Sequence, residues 1–157
     1  MSSHLASSLV ARSELVEEFK RCYATFGRDT IAQLQKVYDP AITFIDPLHR
    51  IDGWPALERY FAASAANLDY CRFDFVDSVV GESAAFFKWH MHYAHRKIAK
   101  GKALSLAGAT QIKFTHTISY HEDFYDLGAM VYQHIPIIGL GIHKLRQCML
   151  RASLRGR

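Results

Sequence analysis

"ESAAFFKWHMHYAHRK", residues 82–97, alternates with a period of two. Ala85, Phe87, Trp89, Met91 and Tyr93 fall on one face, and Phe86, Lys88, His90 and His92 on the other. One wholly apolar face opposite a mixed one predicts a long strand laid against a core. The same period extends to both sides. Residues 71–80 (CRFDFVDSVV) read as the strand before it, and "AKGK" at 99–102 as the turn after it. Residues 103–114 (ALSLAGATQIKF) give a third long strand, with Leu104, Leu106, Gly108, Thr110, Ile112 and Phe114 on one face. Residues 115–126 (THTISYHEDFYD) give the fourth.

Towards the N-terminus the period becomes helical. Ser13 reads as an N-cap with Glu14 in the first turn. Leu15, Val16, Phe19, Cys22, Tyr23 and Phe26 then recur on one side of a helix ending near Gly27. Asp29 is placed to cap a short second helix, with Ile31, Leu34 and Val37 inward. Pro40 and Pro47 bracket a short strand-prone run, Ile42 to Asp46. "IDGWPALERYFAASAANL" reads as a loop, then a third helix with Pro55 at its first position, through about Asn67. Beyond Leu127 the pattern is helical again, broken by Pro136, Gly139 and Gly141, and "IHKLRQCMLRASL" predicts a basic amphipathic helix.

Helices first and long strands later define an α+β class. A mainly antiparallel sheet curling around the N-terminal helices makes a cone, its mouth lined by strand ends and the first helix. The expected organisation is a flexible N-terminus over 1–12, a folded domain over 13–133 and a basic helical tail over 134–157.

A chain of 157 residues is one domain by length. Its 10 Phe and 8 Tyr suit a large core or an aromatic-walled pocket. Cys22, Cys71 and Cys148 are too few and too far apart for a disulfide framework or a zinc knuckle, which points to a reducing, cytoplasmic setting. The first residues lack the basic-then-apolar order of a secretory leader. Five of the 19 basic residues lie beyond Leu127, where there is no acidic one, leaving 14 basic against 15 acidic before it. A nearly neutral body argues against a nucleic-acid partner, and none is expected. The basic tail is read as packed helix, with contact to an anionic membrane surface as the lesser alternative. No Gly-rich phosphate loop is present. His90 and His92 are only two alternating histidines, with Lys88 beside them, so neither cofactor nor metal is expected.

Three further segments carry a resemblance. "VYDPAITFIDPLHRIDG" ends a strand in Asp-Pro before a glycine. "GWPALERYF" supplies that glycine and a helix. "HEDFYD" closes the last strand. In order and spacing they resemble the nuclear transport factor 2-like superfamily, and within it the SnoaL-like group, over roughly residues 13–133. Members include ketosteroid isomerases, polyketide cyclases, limonene-epoxide hydrolases, scytalone dehydratase and noncatalytic transport or association domains, so the fold leaves function open.

The resemblance implies particular residues. Asp46 matches the general base of ketosteroid isomerases, and Tyr23 their oxyanion donor. Thr110 falls where their assisting acid would be. Asp123 matches the signature Asp of the epoxide hydrolases, whose Arg-x-Asp pair is here Lys88-x-His90. SnoaL-type cyclases require mainly one carboxylate that removes a proton next to a carbonyl.

The residues themselves add that His121, Asp123 and Tyr125 share one strand face, and Glu122, Phe124 and Asp126 the other. The candidate catalytic set is therefore Asp123, Asp46, Tyr23 and His121. Trp89, Met91, Tyr93, Thr110, Trp54 and Tyr125 are the expected pocket wall. Asp126 reads as a cap for the following helix. Two readings stay open for each carboxylate: a desolvated base facing the cone, or an anchor for backbone amides. The expected function is isomerase, cyclase or dehydratase chemistry on a small apolar carbonyl compound. The alternative is a noncatalytic ligand-binding or scaffold module. A homodimer through the mixed sheet face is expected.

Overall fold

The computed structural model describes residues 2–130 together with residues 144 and 147. Helices α1 (Ser2–Ala24) and α2 (Arg28–Leu34) come first, followed by β1 (Tyr38–Ile45), the short β2 (Arg50–Asp52) and α3 (Trp54–Ala65). Then come β3 (Leu68–Val80), β4 (Ala84–His95), β5 (Ala103–Phe114), β6 (Ile118–Tyr125) and the single turn α4 (Leu127–Met130). The six strands form one open, curved sheet in the order β2-β1-β6-β5-β4-β3. Among the described residues only the β1–β6 pair is parallel, and β2 to β5 supply the long crossover that a parallel pair needs. The fold is the α+β cone.

The helices fill the concave side. Val16, Phe19, Cys22 and Tyr23 of α1 are buried in one cluster with Phe87, Trp89 and Ile112 of the sheet. The Phe19 ring stacks on Phe87 at 5.4 Å between centroids. The apolar face read from β4 is the buried one, with Ala85, Phe87 and Trp89 each 1% exposed. Its other face is outward, with Phe86 47% exposed beside its register partner Val79.

Trp89 depends on a glycine across the ladder. Gly108 is its register partner on β5, and a Cβ built there would lie 2.2 Å from the indole. The missing side chain is the space the ring occupies. Gly53 has a different role: it precedes α3 at φ +87, a conformation that glycine adopts without strain.

Several boundaries differ from the sequence reading. Helix α1 begins at Ser2, so Ser13 is an interior residue and not a cap. The stretch before it, rich in Ser and Ala, contains neither Gly nor Pro, and nothing stops the helix. The cap of α2 is Gly27, whose amide is held by the Thr30 hydroxyl, and Asp29 lies inside the first turn. β1 starts at Tyr38 and carries Pro40 within it, at a register irregularity between Tyr38 and Thr43 that spares the proline a ladder bond. β2 was hidden in an expected loop, because three residues are too few to show a period. Asp126 does cap α4, its Oδ1 accepting from the Ala129 amide at 3.1 Å.

The expected basic helix at 142–154 and its membrane contact lie outside the described residues, apart from the exposed, helical Lys144 and Gln147. Among the described residues no helix is long and apolar enough to cross a membrane.

Candidate active site

A cavity of about 220 Å³ opens in the concave face. Helix α3 lines it with Tyr60, Phe61 and Ser64, and β4 with Trp89, Met91 and Tyr93. Tyr23, Asp46, Asp123 and Tyr125 also reach it. Its surface is mostly apolar and rich in aromatic rings, with two carboxylates set into it. Trp54 and Thr110, expected on the wall, are not on it. Trp54 packs behind, stacked on Tyr38 at 5.8 Å between centroids, and Thr110 is buried under Asp123.

The two carboxylates differ in what holds them. Asp46 is an anchor. Its Oδ1 accepts the backbone amides of Leu48 and His49, both at 2.7 Å, and its Oδ2 accepts the Tyr60 hydroxyl at 2.5 Å. The imidazole of His49 adds a longer contact at 3.2 Å. An Asp before Pro47 thus closes a turn, as such residues commonly do. His49 belongs to that turn and is 46% exposed at its side chain.

Asp123 is held at one oxygen only. Its Oδ1 accepts from Thr110 Oγ1 at 2.5 Å and from His121 Nε2 at 2.8 Å. Its Oδ2 has no hydrogen bond among the described residues, and the side chain, 16% exposed, lines the cavity. Thr110 in turn accepts the Trp89 indole N–H at 2.8 Å, so its own proton is committed to Asp123.

His121 stands behind Asp123 and does not line the cavity. It is 1% exposed and is ringed by Phe19, Phe44, Tyr23 and Tyr38. Its Nδ1 meets the Tyr38 hydroxyl at 2.6 Å, and Tyr38 meets the Tyr23 hydroxyl at 2.9 Å. A chain of four side chains therefore runs Tyr23–Tyr38–His121–Asp123, and both of its ends are at the cavity. Burial holds the Tyr23 and Tyr38 hydroxyls well above the ordinary tyrosine range, so both keep their protons.

Tyr125 is the one cavity tyrosine whose hydroxyl makes no hydrogen bond among the described residues. Burial, and then the charges of Asp46 and Asp123, raise its pKa. It is a protonated donor beside both carboxylates. The Cys71 thiol, also on the wall, is pushed up to about 12 by burial and is no nucleophile at neutral pH.

The sequence reading thus places Asp123, Asp46 and Tyr23 at one cavity with Trp89, Met91, Tyr93 and Tyr125. It misses Tyr38 and Tyr60. Both lie inside segments quoted for the resemblance, but each reaches its partner only through the fold. Among the described residues no three His, Cys, Asp or Glu converge as metal ligands. His92 instead contacts Asp74 on the outer face at 3.2 Å.

The model of the SnoaL-like domain matches residues 19–117, more than half of the chain. The chain belongs to the SnoaL-like domain family. Solved structures with this SnoaL-like fold agree. A candidate SnoaL-like polyketide cyclase from Shewanella putrefaciens superposes with a TM-score of 0.65 at 13% identity, over 76% of this chain and 92% of that one. A second, from Jannaschia, gives 0.67 at 11%, over 77% and 89%. A hypothetical protein of ketosteroid isomerase-like fold from Catenulispora acidiphila gives 0.65 at 13%, over 77% and 91%. Identities this low speak to the SnoaL-like fold alone. No curated protein matches the sequence.

Proposed function

We propose that the protein is an acid–base catalyst acting on a small, largely apolar carbonyl compound, in the isomerase, cyclase or dehydratase class. The observation that supports this most is the split in Asp123: one oxygen fixed by Thr110 and His121, the other open to an aromatic cavity. A carboxylate held that way is oriented without being saturated, which is what a general base requires.

In this reading Asp123 Oδ2 takes a proton from the carbon next to the carbonyl. The C–H bond breaks, an O–H bond forms at Oδ2, and the electron pair moves onto the carbonyl oxygen. The Tyr125 hydroxyl donates to that oxygen as charge builds there. The proton then returns to another position of the substrate, or a leaving hydroxyl takes it. Asp46, saturated by two amides and Tyr60, shapes the cavity and stays out of the proton transfer.

The test is a panel of small cyclic ketones, enones and β-hydroxy ketones followed by NMR with the parent and with Asp123→Asn. Conversion by the parent that is lost in Asp123→Asn is the expected result. No conversion of any member, with binding that is indifferent to the substitution, favours a noncatalytic binding module.

A further inference from the structure

We propose that the rim of the cavity at His95 and Lys97 takes the carboxylate of a keto acid whose ketone lies at the far end, beside Asp123 and Tyr125. The inference rests on the reading of this cavity as the ligand site, and deepens it by naming a second group on the substrate. It does not require Asp123 to act as a base.

Strand β4 carries the wall from the candidate base to the rim. Trp89, Met91, Tyr93 and His95 share its concave face by parity, and all four line the cavity. Trp89 is buried, whereas His95, at the end of the strand, is half-buried. Leu68, its register partner on β3, and Ile98, just past the strand, are half-buried and on the wall as well.

The backbone fixes what the His95 ring can do. The Lys97 amide donates to Nδ1 at 3.2 Å. An amide N–H only donates, so Nδ1 accepts, and the hydrogen of the neutral imidazole is on Nε2. Burial, and then the Lys97 charge, lower the pKa of His95, with Asp69 opposing, so the ring is neutral at pH 7. Nε2–H is a donor without an acceptor among the described residues.

Most of the polar wall is already engaged. Asp46 holds two amides and Tyr60, and Tyr23 bonds Tyr38. Ser64 donates to the Tyr60 carbonyl, and Tyr93 to that of Met130. Asp123 Oδ2 and the Tyr125 hydroxyl remain at one end, and His95 at the other. Tyr125 is level with Trp89 in the ladder, through Gly108. His95 follows Trp89 by six positions, or about 20 Å along an extended strand. Phe73, Met91 and Cys71 line the stretch between. A ligand that meets both ends is elongated, apolar in the middle, and carries an oxygen at each end.

Charge selects the oxygen at the rim. Residues 95–102, HRKIAKGK, contain four Lys or Arg and no Asp or Glu. Arg96 is paired with Asp69 at 2.9 Å. Lys97 is close enough to act on the His95 ring and has no ion pair among the described residues. One N–H and one ammonium match the two oxygens of a carboxylate. The turn that follows is strained, with Ala99 and Lys100 at φ 49 and 57. Backbone strain of this kind concentrates at ligand sites.

The experiment is calorimetric titration of the whole chain, at neutral pH and low salt, with levulinic acid, its longer-chain homologues and the methyl ester of each. At least one longer keto acid should bind about fivefold more tightly than its ester, the scale of an ion pair near a surface. Added salt should reduce that preference. Lys97→Met should erase it and Lys97→Arg should keep it. His95→Phe should weaken acid and ester alike, because an ester carbonyl uses the same donor. Lys88→Met removes the same charge from the exposed outer face of β4 and should change nothing. The proposal is overturned if no member of the series binds, or if acid and ester bind alike in the parent. It is equally overturned if the preference survives Lys97→Met or falls as far in Lys88→Met. An acid preference without turnover that depends on Asp123 would leave this inference standing and remove the base reading. Turnover that depends on Asp123 without an acid preference would do the reverse.

Discussion

Tyr38 and His121, 83 positions apart in the chain, meet at 2.6 Å between the phenol oxygen and Nδ1. They sit on β1 and β6, which pair in parallel. The contact thus depends on the long crossover that brings the start of the domain beside its last strand. Replacing Tyr38 with Phe deprives a buried ring nitrogen of His121 and the Tyr23 hydroxyl of their shared hydrogen-bond partner. The expected cost is about 1–3 kcal/mol in denaturant unfolding. Tyr23→Phe should cost less, since Tyr38 still bonds His121.

The anchoring role of Asp46 should show in a stability measurement. Asp46→Ala removes the acceptor of two backbone amides and of Tyr60 and should cost about 3 kcal/mol. Asp46→Asn keeps an oxygen for the same two amides and should cost about 1 kcal/mol. At this chain length each kcal/mol appears as roughly 2–4 °C in the melting temperature.

Gly108→Ala should be one of the most damaging small substitutions in the sheet. The new methyl would enter the Trp89 indole, which is 1% exposed and would have to be displaced from its place in the core. Overpacking of this kind typically costs about 1–3 kcal/mol. Trp89 also donates to Thr110, which holds Asp123, so its displacement should loosen the candidate base as well. Denaturant unfolding and tryptophan fluorescence of the variant would measure both effects.

The tyrosines predict an alkaline transition. Burial raises the pKa of Tyr23, Tyr38, Tyr60 and Tyr125 above the ordinary value of 10.0. Groups raised in the folded state stabilise it fully below the unfolded value, and that contribution is lost as pH rises past it. Stability should therefore hold up to about pH 10 and fall beyond it. Tyrosinate absorbance should show these four ionising together with unfolding, and not as a gradual titration of the native protein.

Much of this was legible in the sequence, for identifiable reasons. The period of two in 82–97 placed Trp89, Met91 and Tyr93 inward without ambiguity, because a strand face is decided by parity. Parity also put His121, Asp123 and Tyr125 together. Parity could not show that His121 lies behind Asp123, and not beside it in the cavity. That depends on how α1 and β1 close over the imidazole. Nor could it separate the anchor from the candidate base. The role of Asp46 is set by amides two and three residues on and by a tyrosine 14 residues away, and that of Asp123 by Thr110 on the next strand. The helix start at Ser13 was misread because a good cap residue lies inside a sequence with nothing to break the helix.

The central claim is that Asp123 removes a proton next to a carbonyl, and it can be tested without the natural substrate. In heavy water a base in the cavity should exchange the α-protons of cyclohexanone for deuterium, and NMR reads the rate directly. The parent protein should exceed buffer and Asp46→Asn should stay close to the parent. Asp123→Asn should lose about 10²-fold or more of the protein-dependent rate. Exchange no faster than in buffer, or exchange undiminished in Asp123→Asn, would contradict the account.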